Sequence, residues 1–302
     1  MSSRAWLGAV LVSGAAAAVT AQEPQRPTFR SSLDLVSVAV VVRQPDGRLV
    51  TDLEAGDFEI LDRGAAQPIV QFERGDDAHA RLALLVDTSG SMVVGAKRER
   101  SRIATELLAA GMKPSDGATV FSFDARLRRL TPFTRDVETL REAVTRLEPW
   151  GVTSLYDAIL GTIASVAEES PRTRALLLLT DGIDTASVKT PFDAAQAAAA
   201  LDIPLYVLSV GKDQMDEKAY STASAEAASV TLQDLATRTG GLAAEAATVA
   251  DLSIATRTIL SELRHQYVIA IPAGEVRGWH DLTVRVKRGR VQARSRNGYY
   301  VS

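Results

Sequence analysis

Cysteine is absent from the 302-residue sequence, and histidine occurs only three times. The missing cysteine excludes disulfide bridges, thiolate zinc sites and catalysis by a thiol. The histidines, His79, His265 and His280, are far apart in the chain and lack the spacing of metal ligands. We therefore expect a structural role for each of them.

The sequence also lacks a strong excess of charge of either sign. Its formal net charge is −3, and its isoelectric point is near 5.8. Nucleic-acid-binding domains usually carry a basic face, so no nucleic-acid partner is expected. The densest cationic cluster, KRERSR at 97–102, is interpreted as the solvent-facing side of a helix.

The first 21 residues have the order of a secretory signal. One arginine precedes an alanine-rich apolar stretch, and the small residues Val19 and Ala21 stand where a signal peptidase needs them. Cleavage after Ala21 and a periplasmic or secreted protein are expected. An uncleaved membrane anchor is the alternative, although the apolar run is short for a span. No other stretch is apolar for long enough to cross a bilayer, so we expect no transmembrane segment in the mature chain.

Apolar runs alternate with helical patterns between residues 80 and 264. Four compact runs predict strands that are buried on both faces of a parallel sheet, at 82–87, 118–124, 175–181 and 204–210. Helical patterns lie between and after them, at 95–112, 136–147, 155–168 and 191–201 and in two segments before residue 265. This alternation predicts a doubly wound, mostly parallel, Rossmann-like α/β sheet, with 127–134 as an antiparallel edge.

Both flanks of this segment have strand character instead. Residues 33–75 and 265–302 contain short β patterns without a convincing helix. Because apolar strands without partners are prone to aggregate, we predict that the flanks pair into one small antiparallel β module. Two separate β appendages are the alternative. The expected organisation is a signal peptide at 1–21, an α/β domain at 80–264 and a β module from the two flanks.

The sequence DTSGSM, at 87–92, directly follows the first buried strand. Asp87, Ser89 and Ser91 place one carboxylate and two hydroxyls at the carboxyl end of a parallel strand, where open α/β sheets bind ligands. Such oxygen ligands suit Mg²⁺ or Mn²⁺, suit Ca²⁺ less well, and argue against zinc or copper. DTSGSM therefore predicts a site for a hard cation.

Two further candidates fall at the same predicted edge of the sheet. Asp181 ends the third buried strand, and Thr153 lies in the loop before a helix. Ser154 and Asp157 have the spacing of a capping box that would hold Thr153 in place. The long polar loop at 212–229 follows another strand of the sheet, so it is expected beside the site.

These segments resemble the three parts of the metal-ion-dependent adhesion site (MIDAS) of von Willebrand factor A domains. The matching sequences are DTSGSM, the threonine of GVTSLYDAI and the aspartate of LLLLTDGIDT, in the family's order. The resemblance implies hydroxyl ligands from Ser89, Ser91 and Thr153. It implies that Asp87 and Asp181 act on the metal directly or through water. A carboxylate from an aspartate or glutamate of a partner protein would fill the open position.

The resemblance covers about residues 80–264. The flanks also resemble a bacterial group of exported proteins related to von Willebrand factor A domains, through DFE at 57–59, QY at 266–267 and RNGYY at 296–300. One departure concerns the loop before the threonine, where relatives often have Gly-Gly-Thr and this chain has Val152. Because valine disfavours positive φ, we expect a stiffer or differently set loop.

Enzyme chemistry is not expected at this site. A catalytic serine needs a base, and no histidine lies between His79 and His265. DTSGSM also lacks the glycine and lysine spacing of a phosphate-binding loop. Asp124 and Asp184 lie near strand ends and are interpreted as structural. Two functions remain: an exported protein that binds a protein partner through a divalent metal, or an envelope assembly component in which the metal only stabilises the fold.

Overall fold

The structure, a computed structural model, describes residues 35–75, 78–167, 175–210 and 232–301. The predicted signal peptide and the polar loop at 212–229 lie outside these residues. Contacts group Leu33–Ser302 into one compact unit, so the domain boundaries near residues 80 and 264 stay predictions. Among the described helices, none is both long enough and apolar enough to cross a membrane.

The described residues alternate between strands and helices. The strands are β1 (Leu35–Arg43), β2 (Phe58–Asp62), β3 (Ala65–Gln67), β4 (Gln71–Arg74), β5 (Arg81–Asp87), β6 (Gly117–Phe123), β7 (Leu127–Arg129), β8 (Ala175–Thr180), β9 (Leu205–Ser209), β10 (Ala243–Glu245), β11 (Tyr267–Pro272), β12 (Gly278–Val286), β13 (Gln292–Arg294) and β14 (Gly298–Val301). The helices are α1 (Lys97–Gly111), α2 (Val137–Thr145), α3 (Leu155–Val166), α4 (Pro191–Ala200), α5 (Leu232–Arg238) and α6 (Val249–His265).

The central sheet has six strands in the order β10-β9-β8-β5-β6-β7. All neighbours are parallel except β7, which runs antiparallel to β6 at one edge. This confirms the predicted doubly wound, mostly parallel sheet with an antiparallel edge strand. The sequence did not indicate β10, because its three residues, AAE, form no apolar run.

Both faces of the central sheet are covered by helices. Alternate residues of β5 point to opposite faces: Leu82 and Leu84 pack with α1, α2 and α6, whereas Ala83 and Leu85 pack with α3, α4 and α5. A strand that is buried on both faces gains from an apolar residue at every position. This is why the sequence shows continuous apolar runs instead of alternation.

The flanking strands form two four-stranded sheets, ordered β13-β1-β11-β4 and β14-β12-β2-β3. Strands from the two flanks pair antiparallel, β1 with β11 and β2 with β12. Side chains from both sheets, including Val40, Phe58, Tyr267 and Leu282, share one apolar core. The prediction that the flanks combine is confirmed, and the alternative of two separate appendages is wrong.

His280 belongs to a buried polar network of this β module. Its Nδ1 lies 2.8 Å from Asp62 Oδ1, and its Nε2 lies 2.6 Å from the carbonyl oxygen of Val276. The Tyr299 hydroxyl donates to the other oxygen of Asp62 at 2.7 Å. Because every polar group of this network has a partner, it stabilises the β module, in agreement with a structural role for His280.

Candidate metal centre

Asp87 is the last residue of β5, and its side chain is buried. One carboxylate oxygen accepts a hydrogen bond from the backbone N–H of Ser89 at 2.8 Å. The other oxygen accepts from the Thr180 hydroxyl of the neighbouring strand β8 at 2.6 Å. These bonds orient the carboxylate at the carboxyl edge of the sheet, and each oxygen keeps a lone pair for a further ligand.

The two serine hydroxyls of DTSGSM lie side by side. Ser89 Oγ is 3.1 Å from Ser91 Oγ, and Ser89 is fully buried. Ser89 precedes a short 3₁₀ turn, Gly90–Val93, but its side chain does not cap this turn. Both hydroxyls are therefore available as neighbouring oxygen ligands.

Backbone contacts join DTSGSM to the loop that carries Thr153. The N–H of Gly90 donates to the carbonyl of Gly151 at 2.8 Å, and the N–H of Trp150 donates to the carbonyl of Thr88 at 2.7 Å. A Cβ atom on Gly90 would lie 3.1 Å from the Gly151 oxygen, so glycine permits this close approach. The contacts hold the loop that carries Thr153 against the DTSGSM turn, and Thr153 is buried.

A second set of contacts joins the Thr153 loop to the segment after Asp181. The backbone N–H of Thr153 donates to the Thr185 hydroxyl at 2.9 Å. Its carbonyl accepts from the N–H groups of Thr185 at 3.0 Å and Ala186 at 2.9 Å. Asp181 directly follows β8 and is buried. The structure thus brings the three sequence motifs together at one edge of the sheet.

The charges of this site are poorly solvated. Burial raises the pKa of Asp87 to about 6, and repulsion from Asp181 adds to the rise, although hydrogen bonds from Ser89 and Thr180 oppose it. A cation held near both carboxylates would offset this repulsion. The chain supplies one itself: Lys97 Nζ lies 3.1 Å from Asp181 Oδ2, and both side chains are only 1% exposed.

The residues present fit a small, hard divalent cation. Two carboxylates and three hydroxyls, all oxygen donors, lie on three loops that contact one another at this edge, and this donor chemistry is that of Mg²⁺ or Mn²⁺ sites. In the part of the chain that the structure describes, no three His, Cys, Asp or Glu side chains are grouped to hold a metal.

The raised pKa of Asp87 predicts how the stability of the metal-free protein depends on pH. Between its ordinary pKa of 3.8 and its folded value of about 6, the folded state binds more protons than the unfolded state, so stability falls as pH rises. The rise in the Asp87 pKa from 3.8 to about 6 corresponds to a loss of about 3 kcal/mol, complete above pH 6 to 7.

The measurement is urea unfolding of metal-stripped wild type and Asp87→Asn at several values of pH from 4 to 7. The amide does not titrate, so the difference in unfolding free energy between the two proteins isolates Asp87. We expect the wild type to lose stability relative to the variant as pH rises. A constant difference across this range would contradict the assignment.

The predicted capping box at the start of α3 is wrong. The Ser154 side chain forms no capping hydrogen bond. The carboxylate of Asp184, from the loop after β8, accepts from the N–H of Leu155 at 2.8 Å instead. Asp157 accepts from the backbone of residues 188–189 at 3.0 and 2.8 Å. Asp184 and Asp157 therefore hold the start of α3, which follows Thr153, against the loop after Asp181. The role of Asp184 is structural, as expected.

Two other expectations about neighbouring residues can be compared with the structure. The positive φ of the Thr153 loop falls on Gly151, at +85°, and not on Val152, so the valine is not forced into a backbone conformation that it disfavours. A stiffer or differently set loop stays a prediction. Asp124 accepts from the N–H of Arg126 at 2.8 Å and pairs with the guanidinium of Arg128 at 2.7 Å. Its role is structural, as expected.

Sequence reasoning missed Lys97. The run KRERSR was interpreted as a solvent-facing side of a helix, but Lys97 and Ser101 are buried. The position of Lys97 shortly after DTSGSM could have indicated that it lies near the site. Lys97 begins α1, the first helix after DTSGSM, so its N-terminal turn faces the carboxyl edge of the sheet.

Residues 82–183 match the family model of the von Willebrand factor type A domain. The matched range contains DTSGSM, Thr153 and Asp181, which are the residues on which the resemblance was based. The match confirms the resemblance that the sequence motifs predict. No curated protein matches the chain.

Solved structures are similar to this chain at low sequence identity. One is proximal thread matrix protein 1 from the mussel byssus with a zinc-occupied MIDAS motif, with a TM-score of 0.50, 14% identity, and coverage of 67% of this chain and 49% of that chain. A von Willebrand factor type A protein from Catenulispora acidiphila has a TM-score of 0.49, 15% identity, and coverage of 90% of this chain and 75% of its own. An aerotolerance-related membrane protein from Bacteroides fragilis has a TM-score of 0.46, 18% identity, and coverage of 61% and 98%.

Proposed function

We propose that this chain is an exported binding protein that engages a protein partner through a divalent cation at its MIDAS-type site. Mg²⁺ is the proposed ion, with Mn²⁺ as the alternative, because the donors are all hard oxygens. The observation that carries the proposal is the pair of serine hydroxyls, 3.1 Å apart, beside two buried carboxylates. Export is supported by the signal-like order of residues 1–21.

Each residue has a distinct task in this proposal. Ser89, Ser91 and Thr153 supply neutral oxygen ligands, and Asp87 and Asp181 supply negative charge at the carboxyl ends of their strands. A bound divalent cation offers an exchangeable position to an external anionic oxygen. The proposed occupant of that position is a carboxylate from an aspartate or glutamate of the partner.

Exposed apolar side chains surround the site and support a protein partner. They stand on the three loops that carry the ligands and are Val93 (62% exposed), Trp150 (82%), Val152 (50%) and Val188 (87%). We call this set the apolar rim. Apolar side chains that are grouped and exposed often mark interaction surfaces. The rim would contact the apolar surroundings of the partner's carboxylate.

A role as an enzyme is not proposed. Hydrolysis by Ser89 or Ser91 requires a general base within hydrogen-bond reach. His280 is engaged with Asp62 and Val276 in the β module. His265 Nδ1 lies 2.8 Å from the carbonyl oxygen of Ser261, four residues earlier in α6.

The proposal is tested by affinity capture from the native envelope fraction, in Mg²⁺ and in EDTA. Wild type is expected to retain a partner in Mg²⁺ and to release it in EDTA. Thr153→Val removes a ligand hydroxyl at nearly constant volume, so we expect it to lose the partner at an unchanged melting temperature. Thr145→Val, at an exposed threonine of α2, is the matched control and is expected to behave as wild type.

Retention that is insensitive to both EDTA and Thr153→Val would contradict the proposal. If EDTA at the same time lowers the melting temperature, the outcome supports the assembly component in which the metal only stabilises the fold. Comparison of capture with melting temperature therefore separates the two functions.

A further inference from the structure

Lys97 is a fully buried cation in direct contact with a proposed metal ligand. Its ammonium lies 3.1 Å from Asp181 Oδ2, and both side chains are 1% exposed. Lysine is almost never fully buried unless it is paired, because its charge loses hydration. The position of Lys97 therefore depends on the negative charge of the site.

The place of Lys97 in its helix makes this dependence stronger. It is the first residue of α1, where the helix macrodipole favours negative charge and disfavours a cation. The preceding residue, Ala96, carries no carboxylate that could pair with the ammonium. The helix N-terminus thus does not stabilise this ammonium, and the contact with Asp181 supplies an opposing charge.

The charges of three side chains define what Lys97 does to metal binding. Asp87 and Asp181 with Lys97 leave one negative charge when all are ionised. A divalent cation converts this to one positive charge, and one carboxylate from a ligand then neutralises it. Without Lys97, the cation alone would neutralise the two carboxylates, and an arriving carboxylate would restore a negative charge. Lys97 therefore disfavours the cation alone and favours the cation together with an anion.

We propose that Lys97 is a built-in counter-ion of the metal site, which neutralises Asp181 in the metal-free chain and makes tight metal binding depend on an anionic ligand. This inference rests on the proposed function, because it assigns the open coordination position to an anion. It adds that the cation and the carboxylate bind cooperatively and that Asp181 is already paired with Lys97 in the metal-free site.

The test is calorimetric titration of the full chain with Mn²⁺ in sodium chloride and in sodium acetate at equal ionic strength. For wild type, acetate is expected to strengthen Mn²⁺ binding. For Lys97→Met, the loss of repulsion is expected to strengthen Mn²⁺ binding in chloride by at least about tenfold, and the gain from acetate should vanish. Lys189→Met, which removes an exposed lysine from the loop after Asp181, is expected to match wild type.

A second measurement examines the metal-free chain, where Lys97→Met leaves Asp181 buried without its cation. Lys97→Met is expected to lower the urea midpoint, and the double variant Lys97→Met/Asp181→Asn is expected to recover most of the loss. Non-additivity of this kind is the signature of a direct pair. Additive losses would overturn the counter-ion role of Lys97.

The two proposals can fail separately. If wild type and Lys97→Met bind Mn²⁺ with equal affinity and equal response to acetate, the inference about Lys97 is overturned and the metal site stands. If neither protein binds Mn²⁺ in either salt, the proposed function is overturned, and the metal-linked role of Lys97 falls with it.

Discussion

Replacement of Ser89 and Ser91 together by alanine is expected to weaken Mn²⁺ binding by at least about a hundredfold, because two direct ligands are lost. The fold should tolerate the change. The hydroxyls are 3.1 Å from each other, and Ser89 forms no helix cap. Removal of both partners of a hydrogen bond leaves no orphaned polar group between them. Calorimetric titration with Mn²⁺, together with a thermal melt, measures both effects.

Ser101→Ala is the matched control for this double variant. Ser101 is also a buried serine near DTSGSM, on α1, and its hydroxyl has no hydrogen-bond partner in the described structure. Its removal should leave Mn²⁺ affinity unchanged and should not lower the melting temperature. Equal Mn²⁺ affinity in wild type and in the Ser89/Ser91 variant would remove both serines from the ligand set.

Trp150→Ala is expected to weaken binding of the captured partner by at least about tenfold, since exposed tryptophans at interfaces often act as hot spots. Trp150 is 82% exposed, so its side chain contributes little to the folded core. Its backbone N–H, which bonds to the carbonyl of Thr88, is retained in the variant. Mn²⁺ affinity and melting temperature should therefore stay at the wild-type values while partner affinity falls.

Tyr300→Ala serves as the control for an exposed aromatic residue away from the ligand loops. Tyr300 is 52% exposed and lies on β14 in the β module. If the partner contacts the apolar rim, only Trp150→Ala weakens binding in titrations with Mg²⁺ present. Equal losses in both variants, or a loss only in Tyr300→Ala, would move the contact surface to the β module.

The central sheet and the three ligand motifs could be predicted from the sequence. There, the local apolar pattern of each strand agrees with its position in the folded protein. The apolar run before Asp87 predicts a strand with both faces covered, and β5 has that environment. The carboxyl ends of parallel strands meet at one edge, so Asp87 and Asp181 could be placed together from strand order alone. The pairing of the flanks followed from their apolar strands, which needed partners.

The remaining features depend on contacts between distant parts of the chain. The first N–H of α3 is bound by Asp184, which lies 29 residues further along the chain. The local Ser154–Asp157 motif predicts a cap at this position, but the Ser154 side chain does not form it. Lys97 lies in a charge run that is typical of a solvated helix face. The folded position of Asp181, 84 residues away, favours its burial.

The central claim is that Ser89, Ser91 and Thr153 bind a divalent cation at the carboxyl edge of the sheet. The most direct test is a crystal structure of the full chain grown with Mn²⁺ and acetate, with diffraction data collected where manganese scatters anomalously. An anomalous peak is expected at bonding distance, about 2.1 Å, from the three hydroxyl oxygens. No peak at this position, with Lys97 still on Asp181, would remove these hydroxyls from the ligand set.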